Sequence, residues 1–298
     1  MLRRCRRALF NSRALEHLLN GHFARVARLE AQVQALTDAA IARETELQNQ
    51  RDRDYQVVMA HQQTLAGLQD ADSNFHAVYD RCKSYTMTSI ERLYSLYKCA
   101  EYVVASEVAG DVVECGVWRG GSCMLVALAF LERSNTERRI VLYDTFEGHP
   151  KPDAEMDVDL WGNRAVDEWQ RYAFEGRPWG DASLDEVHRN LEATGYPREK
   201  LVFVKGLVEE TVPQNLPDKI AILRLDTDWY ESTRVELFHL YPRLVPGGVL
   251  IVDDYGHYKG QRKAVDEYFR GIGENLLFHR IDYSCRVALK PWKHPRNG

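Results

Sequence analysis

The sequence predicts a doubly wound α/β fold built on a mostly parallel sheet and preceded by a helical extension. Three observations carry that expectation. Short apolar runs alternate with helical segments, the pattern left by strands buried on both faces of a parallel sheet. Two of these runs, Ile220 to Leu225 and Val249 to Val252, stop at carboxylates, Asp226 with Asp228 and Asp253 with Asp254. A third, Val112-Val113, passes through Glu114-Cys115-Gly116 to Gly120-Gly121-Ser122 and then a helical pattern. Such sheets bind ligands beyond the carboxyl ends of their strands, so a glycine turn and several acids are expected to line one crevice.

The 298 residues suit one large domain plus an extension. A formal charge of -5 implies no general polyanion-binding surface, so nucleic acid is not an expected partner. The six cysteines (Cys5, Cys82, Cys99, Cys115, Cys123 and Cys285) lack the short paired spacing of a zinc site and read as free thiols in a reducing compartment. No apolar run approaches the roughly 20 residues of a membrane span, so no transmembrane segment is expected and the expected address is the cytoplasm. Met1 to Phe10 carries four arginines with no apolar stretch behind them, which reads as a solvated basic arm.

From about Leu15 to Leu68 the chain is rich in Ala, Gln, Glu and Arg and has no proline. Leu19, Val26, Leu29, Val33, Leu36 and Ala40 fall on a coiled-coil seam if His22 takes one position. The seam fades where Arg43, Gln50, Asp54 and His61 continue it. A helix of this kind cannot bury its stripe alone, so a homo-oligomer is expected, with folding back on its own domain as the alternative. The polar break Asp70 to Asn74 sets the expected division: 1–72 for arm and helix, 73–298 for the main domain.

Thr88 and Glu91 have capping-box spacing, and Ile90, Leu93, Tyr94, Tyr97 and Val104 continue a helix up to Gly110. Val112 to Val117 is the first strand, and its glycine turn opens a helix over Cys123 to Glu132. Glycines there admit a ligand to the backbone, and the helix start offers unpaired N–H groups. The spacing is not the G-x-G-x-x-G of dinucleotide sites, and Glu114 ahead of the turn favours S-adenosylmethionine, whose amino group a carboxylate can receive. The second strand, Ile140 to Tyr143, ends at Asp144, 28 residues after Gly116, where an acid can accept both ribose hydroxyls or simply cap the next turn.

Phe146 to Asp181 is too long for an ordinary connection and carries Trp161, Trp169, Tyr172 and Trp179. It reads as a lid over the acceptor substrate, with a surface helix at Asn163 to Phe174 as the plainer alternative. Ser183 and Glu186 form a second capping box, for a helix ending by Gly195. Strands follow at Leu201 to Val204, Ile220 to Leu225 and Val249 to Val252, with helices at Thr233 to Tyr241 and Gln261 to Arg270. Pro246-Gly247-Gly248 reads as the turn before the fifth strand. Leu276 to Tyr283 and Cys285 to Lys290 read as a hairpin giving the sheet an antiparallel edge. Five β-α repeats closed by a hairpin are the plan of a Rossmann-like class I methyltransferase.

Asp226, Asp253 and Asp254 have the composition of a magnesium site, being hard oxygen ligands that leave room for water and substrate oxygens. Neighbouring strand tips lie about 4.8 Å apart, close enough to share an ion. Ordinary helix capping by these acids is the alternative. A bound metal suits O-methylation, because chelating a hydroxyl lowers its pKa and places its oxygen in line with the sulfonium methyl.

GDVVECGVWRGGS (Gly110 to Ser122), LYDTFEG (Leu142 to Gly148), LRLDTDWYEST (Leu223 to Thr233) and YPRLVPGGVLIVDDY with KAVDEYF (between Leu240 and Phe269) closely resemble the macrocin O-methyltransferase family. Relatives in that family methylate sugar hydroxyls of mycinamicin-type macrolides and of novobiocin. The resemblance covers about Tyr85 to Lys290 and leaves the coiled-coil extension outside it. It implies a magnesium ion on Asp226, Asp253 and Asp254, with Asp226 also a proton acceptor. It further implies donor contacts from Thr88, Ser89, Glu114, Cys115, Gly116, Val117, Ser122, Asp144, Ser183 and Val208. The chain is also similar, more distantly, to catechol methyltransferases, which place a lysine where Trp229 stands here. Proton removal then falls to Asp226, His149 or His257. The expected activity is S-adenosylmethionine- and magnesium-dependent O-methylation of a sugar hydroxyl in a glycan or glycosylated natural product. The alternative is a silent relative that recruits partners through its extension.

Overall fold

The computed structural model describes residues 25–48, 50–51, 68, 71 and 73–292, and the chain divides into two units between Gly67 and Leu68. The basic arm and both ends of the heptad seam lie outside the described residues. In the first unit, residues 25–48 and 50–51 form helix α1. Its apolar seam is open to solvent, from Val26 at 38% exposed to Leu36 at 71%.

The second unit holds the sheet. Its elements are α2 (Ser73–Cys82), α3 (Ile90–Ala105), β1 (Asp111–Cys115), α4 (Gly121–Leu131), β2 (Ile140–Asp144), α5 (Ala165–Phe174), α6 (Leu184–Glu192) and β3 (Leu201–Lys205). They continue with α7 (Val208–Thr211), β4 (Ile220–Leu225), α8 (Tyr230–Leu240), β5 (Leu244–Val252), α9 (Lys259–Ile272), β6 (His279–Arg280) and β7 (Arg286–Leu289). The strand order is β3-β2-β1-β4-β5-β7-β6, parallel except for β7 and β6. The order reverses between β1 and β4, so the crevice of a doubly wound sheet opens at the tips of those two strands.

Side chains alternate across the strands and supply two cores. Val112, Ile222, Val249 and Ile251 pack with α2, α3, α4 and α6, while Val113, Leu223, Leu250 and Val252 pack with α7, α8 and α9. Helix α4 is apolar nearly all round, and its residues from Gly121 to Phe130 are all buried between the sheet and α2 and α3.

Several boundaries differ from the sequence reading. The cap of α3 is Ser89 and not Thr88: the Ser89 hydroxyl accepts from the Arg92 amide at 3.3 Å. The cap of α6 is Ser183 as expected, accepting from the Glu186 amide at 3.2 Å. Pro246, Gly247 and Gly248 lie inside β5, where its register against β4 slips between Ile220 and Ile222. Proline lacks the donor a ladder needs, and a bulge is where a strand tolerates that lack. The final hairpin is also shorter than read, because Asp282 accepts from the Ser284 and Cys285 amides at 2.8 and 2.7 Å and bends the chain there.

Gly116 shows how tightly β1 meets β4. Its φ is +79°, and a Cβ there would lie 2.1 Å from the Asp226 carbonyl oxygen. Gly116→Ala is therefore expected to lower stability by about 3 kcal/mol or more, through strain and overlap together. Chemical denaturation of the purified variant measures it, and a loss below 1 kcal/mol would show that the two tips are free to part.

Candidate active site

The turn between β1 and α4 meets the tip of β2. Asp144 ends β2 and accepts from the amides of Val117 at 2.7 Å and Trp118 at 3.3 Å through one oxygen. Its other oxygen accepts from the Phe146 amide at 2.7 Å. The carboxylate thus does cap the next turn, and it ties that turn to the glycine loop. Trp118, Phe146 and Asp228, at the tips of β1, β2 and β4, have φ of 45°, 53° and 69°. Non-glycine residues held in that left-handed region store strain, and such strain gathers at functional sites.

Glu114 lies inside the protein and not on the face of the turn. Its carboxylate accepts from the Ser122 hydroxyl at 2.5 Å, from the Cys123 thiol at 2.9 Å and from Arg224. Thr88 joins the same group, its hydroxyl accepting from Arg224 at 3.1 Å. Ser89 caps α3 and donates to Asp282 at 3.3 Å. Arg119 of the glycine loop donates to Glu186 at 2.5 Å, which brings α6 and its cap Ser183 beside the loop. Cys115 and Val208 point into the core on the other face of the sheet, so of Cys115 only the backbone is near the turn.

Among the described residues, the oxygens of Asp226, Asp228 and Asp254 lie within 4.8 Å of one another. Three acids therefore converge as expected, but with Asp228 where the sequence reading had Asp253. The reason is alternation: consecutive residues leaving β5 point to opposite faces. Asp253 turns inward and is held by Arg224 at 2.6 Å and Arg92 at 2.5 Å. Burial alone would raise its pKa, but the two guanidiniums outweigh burial and hold it below the usual carboxylate range. Asp228 behaves oppositely, because burial and then the nearby Asp254 and Asp226 push its pKa well up. Burial also pushes Asp226 well up, with Arg224 opposing and the neighbouring acids adding to the rise. Hard oxygen donors crowded in this way, with Arg224 beside Asp226 as partial compensation, fit a divalent cation.

His149 enters from the connection after β2, with its Nδ1 3.8 Å from Asp228 and its ring against Trp179 and Trp229 at 4.9 and 5.4 Å. Burial lowers its pKa, so the imidazole is neutral at pH 7 and able to take a proton. His257 also has a pKa lowered by burial, and it sits 3.3 Å from the Tyr283 hydroxyl on the side of the terminal hairpin. The segment 146–181 is pinned mainly through Asp157, which accepts from the Tyr230 amide at 2.8 Å and from the Asp153 amide at 2.8 Å. The Lys259 amide donates to the Val158 carbonyl at 2.9 Å, and Ala165 and Trp179 pack on Trp229 and Tyr258. Trp161 remains 62% exposed, with its ring edge-on to His257 at 5.6 Å.

Beneath the acid loop lies Glu236 of α8, fully buried. One of its oxygens accepts from the Thr227 hydroxyl at 2.8 Å, and the other has no partner. Burial pushes its pKa up to about 8. Sequence reasoning missed Arg92, Arg224 and Glu236. One signal was present: Arg224 is a charge inside an otherwise apolar run that is buried throughout, and such a charge requires acid partners.

The parallel order with an antiparallel β7, the glycine loop at the reversal of strand order and Asp144 beside it define a class I S-adenosylmethionine-dependent methyltransferase. Within that class the chain belongs to the macrocin-O-methyltransferase (TylF) family, whose model matches residues 18–289. The match begins well before Tyr85 and so takes in α1, which the sequence reading left outside the resemblance. The chain is 37% identical over 199 residues to the 8-demethyl-8-(2,3-dimethoxy-alpha-L-rhamnosyl)-tetracenomycin-C 4'-O-methyltransferase of Streptomyces olivaceus, covering 67% of this chain and 73% of that one. It is 35% identical over 203 residues to the mycinamicin III 3''-O-methyltransferase of Micromonospora griseorubida, covering 65% and 74%. Among solved structures, the O-methyltransferase NovP aligns with a TM-score of 0.62 at 32% identity, over 70% of this chain and 83% of that one. The chain is an S-adenosylmethionine-dependent O-methyltransferase.

Proposed function

We propose that this enzyme methylates a hydroxyl of a sugar carried by a glycosylated natural product or glycan, with a divalent cation, magnesium, on Asp226, Asp228 and Asp254. The single observation behind the metal is the convergence of those three carboxylates within 4.8 Å beside the donor crevice. The acceptor class rests on the named substrates of the relatives, one of which carries a rhamnosyl group by name. When bound, the ion supplies Lewis acidity that favours the alkoxide form of the acceptor hydroxyl.

This chain's residues supply the rest. The glycine loop from Gly116 to Ser122 with Asp144 seats the donor, and His149 accepts the proton released by the hydroxyl. His149 is preferred to His257 because it is the histidine paired with the acid cluster, through Asp228. The lid, with Trp179 and Trp229, keeps water from the sulfonium. The exposed seam of α1 pairs with a second copy of the chain, because six apolar residues from Val26 to Leu47 stand at least 38% exposed on one helix. The five described cysteines are free thiols, which suits the cytoplasm.

Methyl transfer from S-adenosylmethionine to a panel of glycosides and to catechol, with magnesium or with a chelator, tests the reading. Transfer to a glycoside that stops with chelator and returns with magnesium is expected. Transfer to catechol alone, or transfer indifferent to chelator, would overturn it.

A further inference from the structure

Arg224 joins the tips of β1, β4 and β5. It stands in the middle of the sheet, its side chain 4% exposed, with a carboxylate on every side. One nitrogen donates to Glu114 of β1 and to Asp226 beyond β4, the latter at 2.7 Å. The other donates to Asp253 beyond β5 at 2.6 Å and to Thr88, ahead of α3, at 3.1 Å. Arg92 completes the group, binding the second oxygen of Asp253 at 2.5 Å and Asp282 at 2.6 Å. The planar fork of a guanidinium suits several acceptors at fixed angles, and an arginine does not give up its proton.

We propose that Arg224 is a built-in counter-cation: a positioning residue that holds the acid tips when no ion is bound and competes with the metal for Asp226. The inference rests on the metal reading above. Without Arg224, Glu114, Asp226 and Asp253 are buried acids with less charge to offset them, and such acids separate. With Arg224, the tips of β1, β4 and β5 are set in place before any cation arrives. The cost falls on affinity: an ion on Asp226 shares that carboxylate with a permanent positive charge and is repelled by it. Because the guanidinium stays charged, only position settles the competition, so the metal is held exchangeably and the scaffold survives its departure.

Arg224→Met, of similar length and uncharged, is compared with the unaltered chain by thermal unfolding with and without magnesium, and by calorimetric titration with magnesium. The variant is expected to melt lower in metal-free buffer, to bind magnesium at least about fivefold more tightly, and to recover most of its lost Tm when magnesium is added. Arg224→Lys, which keeps the charge, is expected to leave magnesium affinity within about twofold. A purely structural arginine predicts the same Tm deficit with and without magnesium and no gain in affinity, and that result would overturn the proposal. If the unaltered chain binds no magnesium but Arg224→Met does, the competition stands and the metal reading of the native enzyme falls. If the unaltered chain binds magnesium and the variant binds it no better, the competition falls and the metal reading stands. If neither binds, both fall. Should Arg224→Met not fold, Arg224→Gln is read in its place with the same two measurements.

Discussion

Asp226→Asn is expected to reduce methyl transfer by at least about 100-fold while leaving donor binding within a few-fold of the unaltered enzyme. Asparagine keeps the shape of aspartate, so the backbone contact between the Asp226 amide and the Cys115 carbonyl at 2.9 Å persists. What is lost is one of three charged ligands and one acceptor of Arg224. A metal worth several kcal/mol in the transition state accounts for a loss of that size, since each tenfold in rate is about 1.4 kcal/mol. Single-turnover rates at saturating magnesium, with calorimetry for S-adenosylhomocysteine, separate the two effects. A variant as fast as the native enzyme would end the metal-assisted reading. A variant unable to bind donor would instead make Asp226 part of the donor site.

Glu236→Gln is expected to stabilise the protein, and to do so increasingly as pH rises. The Glu236 pKa is raised from 4.5 to about 8 in the folded state, chiefly by burial. Below the unfolded value both states carry the proton and the group has no cost. As pH rises from there toward the folded value, the unfolded chain ionises while the folded one does not, and stability falls continuously until both are ionised. The full difference amounts to a few kcal/mol. Glutamine keeps the acceptor for the Thr227 hydroxyl and has no charge to bury, so urea denaturation between about pH 5 and pH 9 should show the two proteins diverging. A constant difference across that range would mean that Glu236 is ionised in the folded state as it is in the unfolded one, its charge compensated inside the protein.

Much of the fold was legible because a parallel strand buried on both faces leaves an unmistakable apolar run. Ile220 to Leu225 was read without error at either end, and Asp144 and Ser183 were placed where the sequence put them. The site was less legible, for two physical reasons. Whether Asp253 or Asp254 faces the crevice depends on the pleat of β5, and one residue of register reverses the answer. The charge balance inside the sheet depends on Arg92 and Arg224, which are 132 residues apart in the chain and meet only through Asp253. Nothing local in sequence announces such a meeting. The partners of Glu114 were hidden for the same reason: a carboxylate ahead of a glycine turn reads as a ligand contact, and its bonds to Ser122, Cys123 and Arg224 appear only in the fold.

The way residues 146–181 are attached bears on how this scaffold diversifies. Asp157, the main-chain links at Val158 and Asp159 and the rings around Trp229 grip the body, and Trp161, though 62% exposed, adds an edge contact with His257. If that segment covers the reacting methyl as proposed, its exposed positions other than Trp161 can be redesigned for a new acceptor without loosening the attachment, so a change of substrate need not begin with a loss of turnover.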